Sequence, residues 1–357
     1  MAEVGFLVVG TPRSGTTFVQ RLACEVPGVA MPAETHFFSE FLPGLLARRS
    51  FPLAGAELAD ELARFCARDN ARGLGLEPGQ VTAVLGGQAR SPAELFCALV
   101  SALAGPAELL GEKTPDHLLW WPLIDSLMPE VRFVAVVRDP RAVVASALAT
   151  PWGEGGWAAS SRLPDHLSLA ARWAVQQDHL AGLQAKVGPQ RCLVVRYEDA
   201  VADPQGTRRA LARFLGRAEP TGAQAAPAHI VLGWETWKGN ALGPSDPARV
   251  RAWRHGLGGR LAGEVAAACA DQMRRFGYRP PRLGALGQAH RLARRAVSRR
   301  PQPSAKIRLG PETYWRLVGF CEEYRAWLDQ LNRRAVETAV ASERTRAWAR
   351  EGVNRSR

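Results

Sequence analysis

The stretch VGFLVVGTPRSGTTFVQRLACEV, residues 4–26, runs from an apolar segment through a glycine-flanked turn into residues with helical spacing. Val4–Val9 reads as a strand buried on both faces, and the segment from Thr16 to Glu25 reads as the helix that follows it. Between them, Gly10-x-x-x-x-Gly15 has the spacing of a phosphate-gripping P-loop, yet Thr16 stands where a nucleotide hydrolase carries lysine. Glycines at both ends permit a tight turn whose N–H groups converge on an anion, with a helix dipole behind them. Ser14, Gly15, Thr16 and Thr17 can add hydrogen bonds, and Arg13 supplies a fixed positive charge.

Working outward, three more short apolar runs read as buried parallel strands: 108–111, 132–137 and 192–195. Segments with helical spacing follow each: 116–127, 140–148, 167–186 and 204–215. Further helical stretches near 56–70 and 92–103 lie between the first two strands. The alternation predicts a doubly wound, mostly parallel α/β sheet with a P-loop-like phosphate-binding loop. Two segments read as working loops, TPWGEGGWAASSRLPD (150–165), a lid over a cleft, and WKGNALGPSD (237–246).

RFVAVVRDPRAVVASAL (132–148) sets Arg138 at the carboxyl end of a strand and Ser146 two turns into the next helix. In a doubly wound sheet that edge binds ligands, so the pair can clamp a second phosphate. The other reading makes Arg138 a surface partner of Asp139. The strand ends in Arg138 and not in the aspartate that helps hold Mg²⁺ in a P-loop hydrolase, so the loop keeps its anion cradle without lysine or metal ligand.

The chain has 357 residues and a formal net charge of +12, unevenly placed. From Ala285 onward there are 16 Lys+Arg against 7 Asp+Glu, whereas the preceding 284 residues carry 30 against 27. The basic character therefore belongs to the tail. No nucleic-acid-binding module accompanies it, and a solvated Arg-rich surface is the reading preferred. A domain over 1–281 and a basic, helical C-terminal extension over 282–357 are expected. In that extension Leu317, Cys321, Tyr324, Leu328 and Leu331 recur at helical spacing, a stripe suited to packing back on the domain or forming a homo-oligomer. No apolar run reaches membrane-spanning length. The six cysteines show neither a Cys-x-x-Cys pair nor metal-ligand spacing. A cytoplasmic protein from a GC-rich bacterial gene is the expectation.

Taken together, these motifs resemble the sulfotransferases that use 3′-phosphoadenosine 5′-phosphosulfate (PAPS). TPRSGTT is similar to their 5′-phosphosulfate loop, and VVRDPRAVVASAL to their 3′-phosphate segment, with Arg138 and Ser146 in the matching places. LVVRYEDAVADP (193–204) resembles the strand and turn that follow, and WKGNALG the late loop that closes over the nucleotide. The likeness covers roughly residues 4–278, and Arg13 resembles the arginine-bearing branch with tyrosylprotein and bacterial carbohydrate or small-molecule enzymes.

The resemblance implies PAPS as co-substrate without a required metal, a hydroxyl acceptor on a small molecule or glycan, and no nucleic-acid partner. It implies secondary metabolism as a setting. Within MPAETHFFSEF (31–41), Glu34 matches the catalytic base, with His36 as the rival; Glu40 is expected as a solvated or capping carboxylate. In GEKTPDH (111–117), Lys113 matches the lysine that approaches the transferring group, unless it pairs with Glu112. Glu112 and Asp116 are expected to orient neighbours, Asp116 also being a candidate helix cap, and His117 to pack or to line the acceptor cleft. Tyr197 is expected against adenine or in the core, and Lys238 with Gly239 on the 3′-phosphate or in a solvated loop. A P-loop small-molecule kinase and a non-catalytic nucleotide- or nucleic-acid-binding protein are the competing readings.

Overall fold

A computed structural model describes residues 3–150, 163–221, 228–280 and, beyond them, 326, 329–330 and 332–338. The main sheet has five strands. They are β1 (Val4–Gly10), β2 (Val29–Ala30), β5 (Leu109–Lys113), β6 (Arg132–Val137) and β7 (Cys192–Arg196). Their order is β2-β5-β1-β6-β7, and every pairing is parallel. Two further strands, β3 (Leu53–Ala54) and β4 (Gln88–Ala89), form a small antiparallel pair among the helices that follow β2. The predicted doubly wound α/β sheet is thus the architecture found.

The strand runs owe their apolar character to cover on both faces. Along β1, Leu7 and Val9 join one core cluster while Phe6 and Val8 join the other. Along β6, Phe133, Ala135 and Val137 alternate in the same way with Val134 and Val136. The second cluster is roofed by helices Thr16–Cys24 and Pro204–Leu215, through Phe18, Leu22, Leu211 and Leu215. Helices Pro92–Ala104, Pro140–Leu148 and Asp165–Val187 cover the first. Burying each such Phe or Leu stabilises the fold by roughly 1.5–3 kcal/mol.

Helix starts follow from local chemistry. Asp139 and Asp203 each precede a proline at the first helical position and accept a backbone N–H, from Arg141 and Gly206 respectively. The expected helix from residue 116 is two pieces instead, a 3₁₀ run at Pro115–Trp120 and an α-helix at Trp121–Leu127, each opened by its own proline. Asp116 caps neither; it receives Arg172 Nη2 at 2.7 and 2.8 Å and Gln176 Nε2 at 2.9 Å.

The expected boundary at 281/282, most of the lid, and Leu317, Cys321, Tyr324, Leu328 and Leu331 lie outside the described residues. The helical residues 332–338 do touch the main domain. Asn332 Nδ2 donates to the Leu119 carbonyl at 2.8 Å, and Ala335 is buried in the first cluster.

Candidate active site

Since β5 and β6 flank β1, the crevice at the carboxyl ends of these strands is a topological switch point, where open α/β sheets bind ligands. All five parallel strands deliver a predicted residue there. Arg13 follows β1, Glu34 follows β2, Lys113 ends β5, Arg138 follows β6 and Tyr197 follows β7. A cleft of about 1240 Å³ opens at this edge, lined among others by Arg13, Gly15, Thr16, Thr17, Glu34, His36, Arg138, Ser146, Tyr197 and Lys238.

The loop after β1 is held in an unusual backbone. Gly15 has φ 93°, and a Cβ there would run into the Tyr197 ring, so only glycine fits. Arg13 has φ 72°, and His36 has φ 50°; among the described residues they are the two non-glycine residues with positive φ. Both line the cleft, and strained backbone of this kind clusters at functional sites.

Arg13 Nε donates to Ser146 Oγ at 3.1 Å, and its Nη2 to the Trp237 carbonyl at 3.3 Å. Arg138 Nη1 donates to the Arg13 carbonyl at 3.1 Å and Nη2 to the Arg249 carbonyl at 3.2 Å, while its guanidinium lies 4.3 Å from the Tyr197 ring centroid. It makes no ion pair with Asp139, which binds Arg141 instead. Burial, and for Arg13 the nearby Arg138, lowers the pKa of each guanidinium. Ser14 Oγ in the loop and Arg138 Nε at the second segment are among the buried side-chain polar atoms that have no hydrogen-bond partner among the described residues. Buried donors left unpaired are costly, and both belong to segments suited to an anionic ligand.

Glu34 sits at the centre of a charged cluster. Its Oε1 accepts from Lys113 Nζ and, at 2.5 Å, from Lys238 Nζ; its Oε2 lies 3.2 Å from His36 Nε2. Burial alone would raise its pKa, but Lys113, Lys238 and His36 together hold it well below the usual carboxylate range. Burial pulls Lys113 down to about 8, against the attraction of Glu34 and with the repulsion of Lys238. Lys238 is raised despite its burial, because Glu34 and Glu235 both face it. His36 is also buried, yet Glu34 and Glu40 raise it to about 10, so the ring is a cation at neutral pH. A cationic imidazole has no free lone pair with which to take a proton, whereas the Glu34 carboxylate has.

The segment GEKTPDH grips the segment that carries Glu34 and His36. Glu112 Oε1 accepts from Thr35 N at 3.0 Å and Thr35 Oγ1 at 2.8 Å; Thr114 Oγ1 accepts from His36 N at 3.1 Å. His117 is fully buried, packs against Phe38 and Phe96, and its Nε2 accepts from Phe38 N at 3.3 Å. On the other side, Arg68 donates to the carbonyls of Thr35 at 2.8 Å and His36 at 3.4 Å. The positive φ of His36 is thereby pinned from both sides.

Some predicted residues sit elsewhere than on the cleft wall. Lys113 lies fully buried beneath the loop, where its Nζ also donates to Thr17 Oγ1 at 3.2 Å. Ser14 is buried, and Gly239 is exposed on the 3₁₀ turn Thr236–Ala241, which replaces the irregular loop expected there. Glu40 is no free carboxylate: its Oε1 lies 3.2 Å from His36 Nδ1. Glu235 was not foreseen, although its place three residues before Lys238, in Trp-Glu-Thr-Trp-Lys, is the spacing of an ion pair on a helical turn. Among the described residues, no group of three or more His, Cys, Asp or Glu is arranged to hold a metal ion.

The fold is shared with known structures. The sulfotransferase domain from the curacin biosynthetic pathway superposes with a TM-score of 0.52 at 16% identity, over 79% of this chain and 100% of that one. The sulfotransferase domain of the Synechococcus PCC 7002 olefin synthase gives 0.50 at 20%, over 79% and 98%. In sequence, the chain is 27% identical to protein-tyrosine sulfotransferase of Drosophila melanogaster over 207 residues, and 28% identical to protein-tyrosine sulfotransferase 2 of Gallus gallus over 208. Each match takes in 58% of this chain but only 36% and 49% of those relatives' own lengths. The model of the sulfotransferase family matches residues 6–220, from β1 past the helix that follows β7, and the chain belongs to that family.

Proposed function

We propose that this protein transfers a sulfuryl group from PAPS to a hydroxyl of a small molecule or glycan, with Glu34 as general base. The observation that carries the reading is the convergence of Arg13, Glu34, Arg138 and Tyr197 from four strand ends onto one cleft, with Lys113 from the fifth buried beneath it against Glu34 and Thr17. Thr16 in place of lysine and Arg138 at the end of β6 leave this edge suited to two separate anions and not to a magnesium triphosphate.

The residues fit such a donor. The loop N–H groups, Ser14, Thr16 and Thr17 would hold the 5′-phosphosulfate, and Arg138 with Ser146 the 3′-phosphate, giving the orphaned Ser14 Oγ and Arg138 Nε partners. Tyr197 would meet the adenine, and the turn carrying Lys238 and Gly239 would close beside it. PAPS supplies a sulfuryl group already activated by attachment to a phosphate leaving group.

In the resting site, Lys113 and Lys238 both hold Glu34 Oε1. An incoming anion offers these ammonium groups a second partner, which frees Oε1 to take the acceptor proton. Lys113 and Arg13 then face the charge that develops on the leaving oxygen. The oxygen–sulfur bond to the acceptor forms as the bond to the phosphate oxygen breaks, and the proton stays on Glu34. His36 keeps the carboxylate ionised until then.

A bacterial, cytoplasmic setting belongs to the same proposal, supported by composition and the scattered cysteines, and secondary metabolism follows from the resemblance. The test is incubation of the full chain with sulfur-labelled PAPS, a chelator and a panel of alcohols. Label passing to a hydroxyl supports the reading; ATP-dependent phosphorylation in its place overturns it.

A further inference from the structure

The contacts around Glu34 close into a ring. His36 Nε2 lies 3.2 Å from Glu34 Oε2, and His36 Nδ1 3.2 Å from Glu40 Oε1. Glu40 in turn accepts from Asn70 Nδ2. Two residues along, the Arg72 carbonyl accepts from Trp234 Nε1 at 3.0 Å. The Trp234 ring meets that of Trp237 edge-on, with centroids 5.6 Å apart. Lys238, next in the chain, returns to Glu34 Oε1 at 2.5 Å. Three segments remote in sequence are thus stitched into one collar, and each side chain in it lines the cleft.

The chemistry around this collar is not uniform. Trp234 is the exposed large apolar side chain among the described residues, at 45% exposure. With Nε1 committed to Arg72, what it offers a ligand is the apolar ring, extended by Trp237. The polar arc differs. The Glu40 side chain is half exposed, and its carboxylate can accept from hydroxyl groups. In the collar Lys238 is shared by Glu34 and Glu235, and His36 by Glu34 and Glu40; the half-exposed carboxylate of Glu40 is the anionic group that a ligand meets.

We infer that this collar is the acceptor subsite and that it takes an uncharged, polyhydroxylated ring compound of the pyranoside type. The C–H face of such a ring packs on the indoles, and its hydroxyls donate to Glu40 while one reaches Glu34 Oε1. An acidic acceptor meets the half-exposed carboxylate of Glu40, and a simple phenol, with its single hydroxyl, cannot serve Glu34 and Glu40 together. The inference rests on the sulfotransferase reading for its catalytic meaning, but binding at the collar is measurable without any donor.

The experiment is saturation-transfer NMR on the full chain without donor, using methyl β-glucopyranoside, glucuronate and 4-methylphenol as probes. PAPS affinity is measured separately by calorimetry. The pyranoside is expected to bind in preference to the other two. Trp234→Ala is expected to weaken it by about tenfold, the upper end of an aromatic packing contact, and Trp234→Phe by less. PAPS affinity is expected to be unchanged in Trp234→Ala. Equal pyranoside binding by wild type and Trp234→Ala overturns the subsite, as does preference for the phenol or the acid. Failure of PAPS to bind with pyranoside binding intact overturns the donor reading instead and leaves the collar standing.

Discussion

Arg13 Nε donates to Ser146 Oγ at 3.1 Å, joining side chains 133 residues apart in sequence. One belongs to the loop after β1 and the other to the helix after β6. These are the two segments proposed to hold the two ends of a nucleotide donor. They are neighbours because β1 and β6 pair directly, from Phe6 with Arg132 to Gly10 with Val136. The sheet order thus fixes the spacing of the two proposed anion sites.

Glu34→Gln keeps the shape of the base and removes its charge. Turnover is expected to fall by roughly 10²–10⁴, the usual contribution of a general base, with little loss of PAPS affinity. His36→Gln should act differently. It removes one of three cations facing Glu34, so the carboxylate pKa rises and the acid limb of the kcat/KM profile moves to higher pH. Initial rates across pH distinguish the two; full turnover in Glu34→Gln with none in His36→Gln would exchange their roles.

Lys113 gives a second pH dependence. Its pKa is depressed to about 8, so its charge is present below that pH and is lost as pH rises through it. The donor is an anion, and its capture by the free enzyme should weaken above about pH 8 as the ammonium neutralises. A bound polyanion favours the charged form again, so the alkaline limb of kcat is expected at higher pH than that of kcat/KM for PAPS. Lys113→Met should abolish the difference between the two limbs.

Gly15→Ala places a Cβ against Tyr197 at a φ of 93°. The left-handed backbone alone costs about 1–2 kcal/mol, and displacement of the ring adds to it. A lower thermal midpoint and loss of PAPS binding are expected together. Retained affinity would show that the loop tolerates another backbone at this turn.

How much of this was readable follows from the physics of each part. The strand runs are apolar because both faces are covered, and the Asp-Pro pairs mark the helix starts at Pro140 and Pro204; both signals are local. The two-residue strands at 29–30, 53–54 and 88–89 are too short to carry a periodic pattern, and the π-helical turn Phe37–Phe41 has none of its own. In the site, the residue types at strand ends were legible, but their pairings were not. Lys238 and Glu34 are 204 residues apart, and only packing brings them together. Glu40 reads as a surface carboxylate in sequence because nothing local announces the left-handed turn at His36 that puts the imidazole against it.

The central claim is that one cleft edge holds a nucleotide at two separate anions. Calorimetry in the presence of a chelator tests it, with PAPS and adenosine 5′-phosphosulfate, which lacks the 3′-phosphate, titrated into wild type and Arg138→Ala. The account predicts that wild type prefers PAPS by roughly ten- to a hundredfold, the worth of a hydrogen bond to a charged group, and that Arg138→Ala loses most of that preference. Equal affinity of wild type for the two ligands, or a preference left intact in Arg138→Ala, would contradict it.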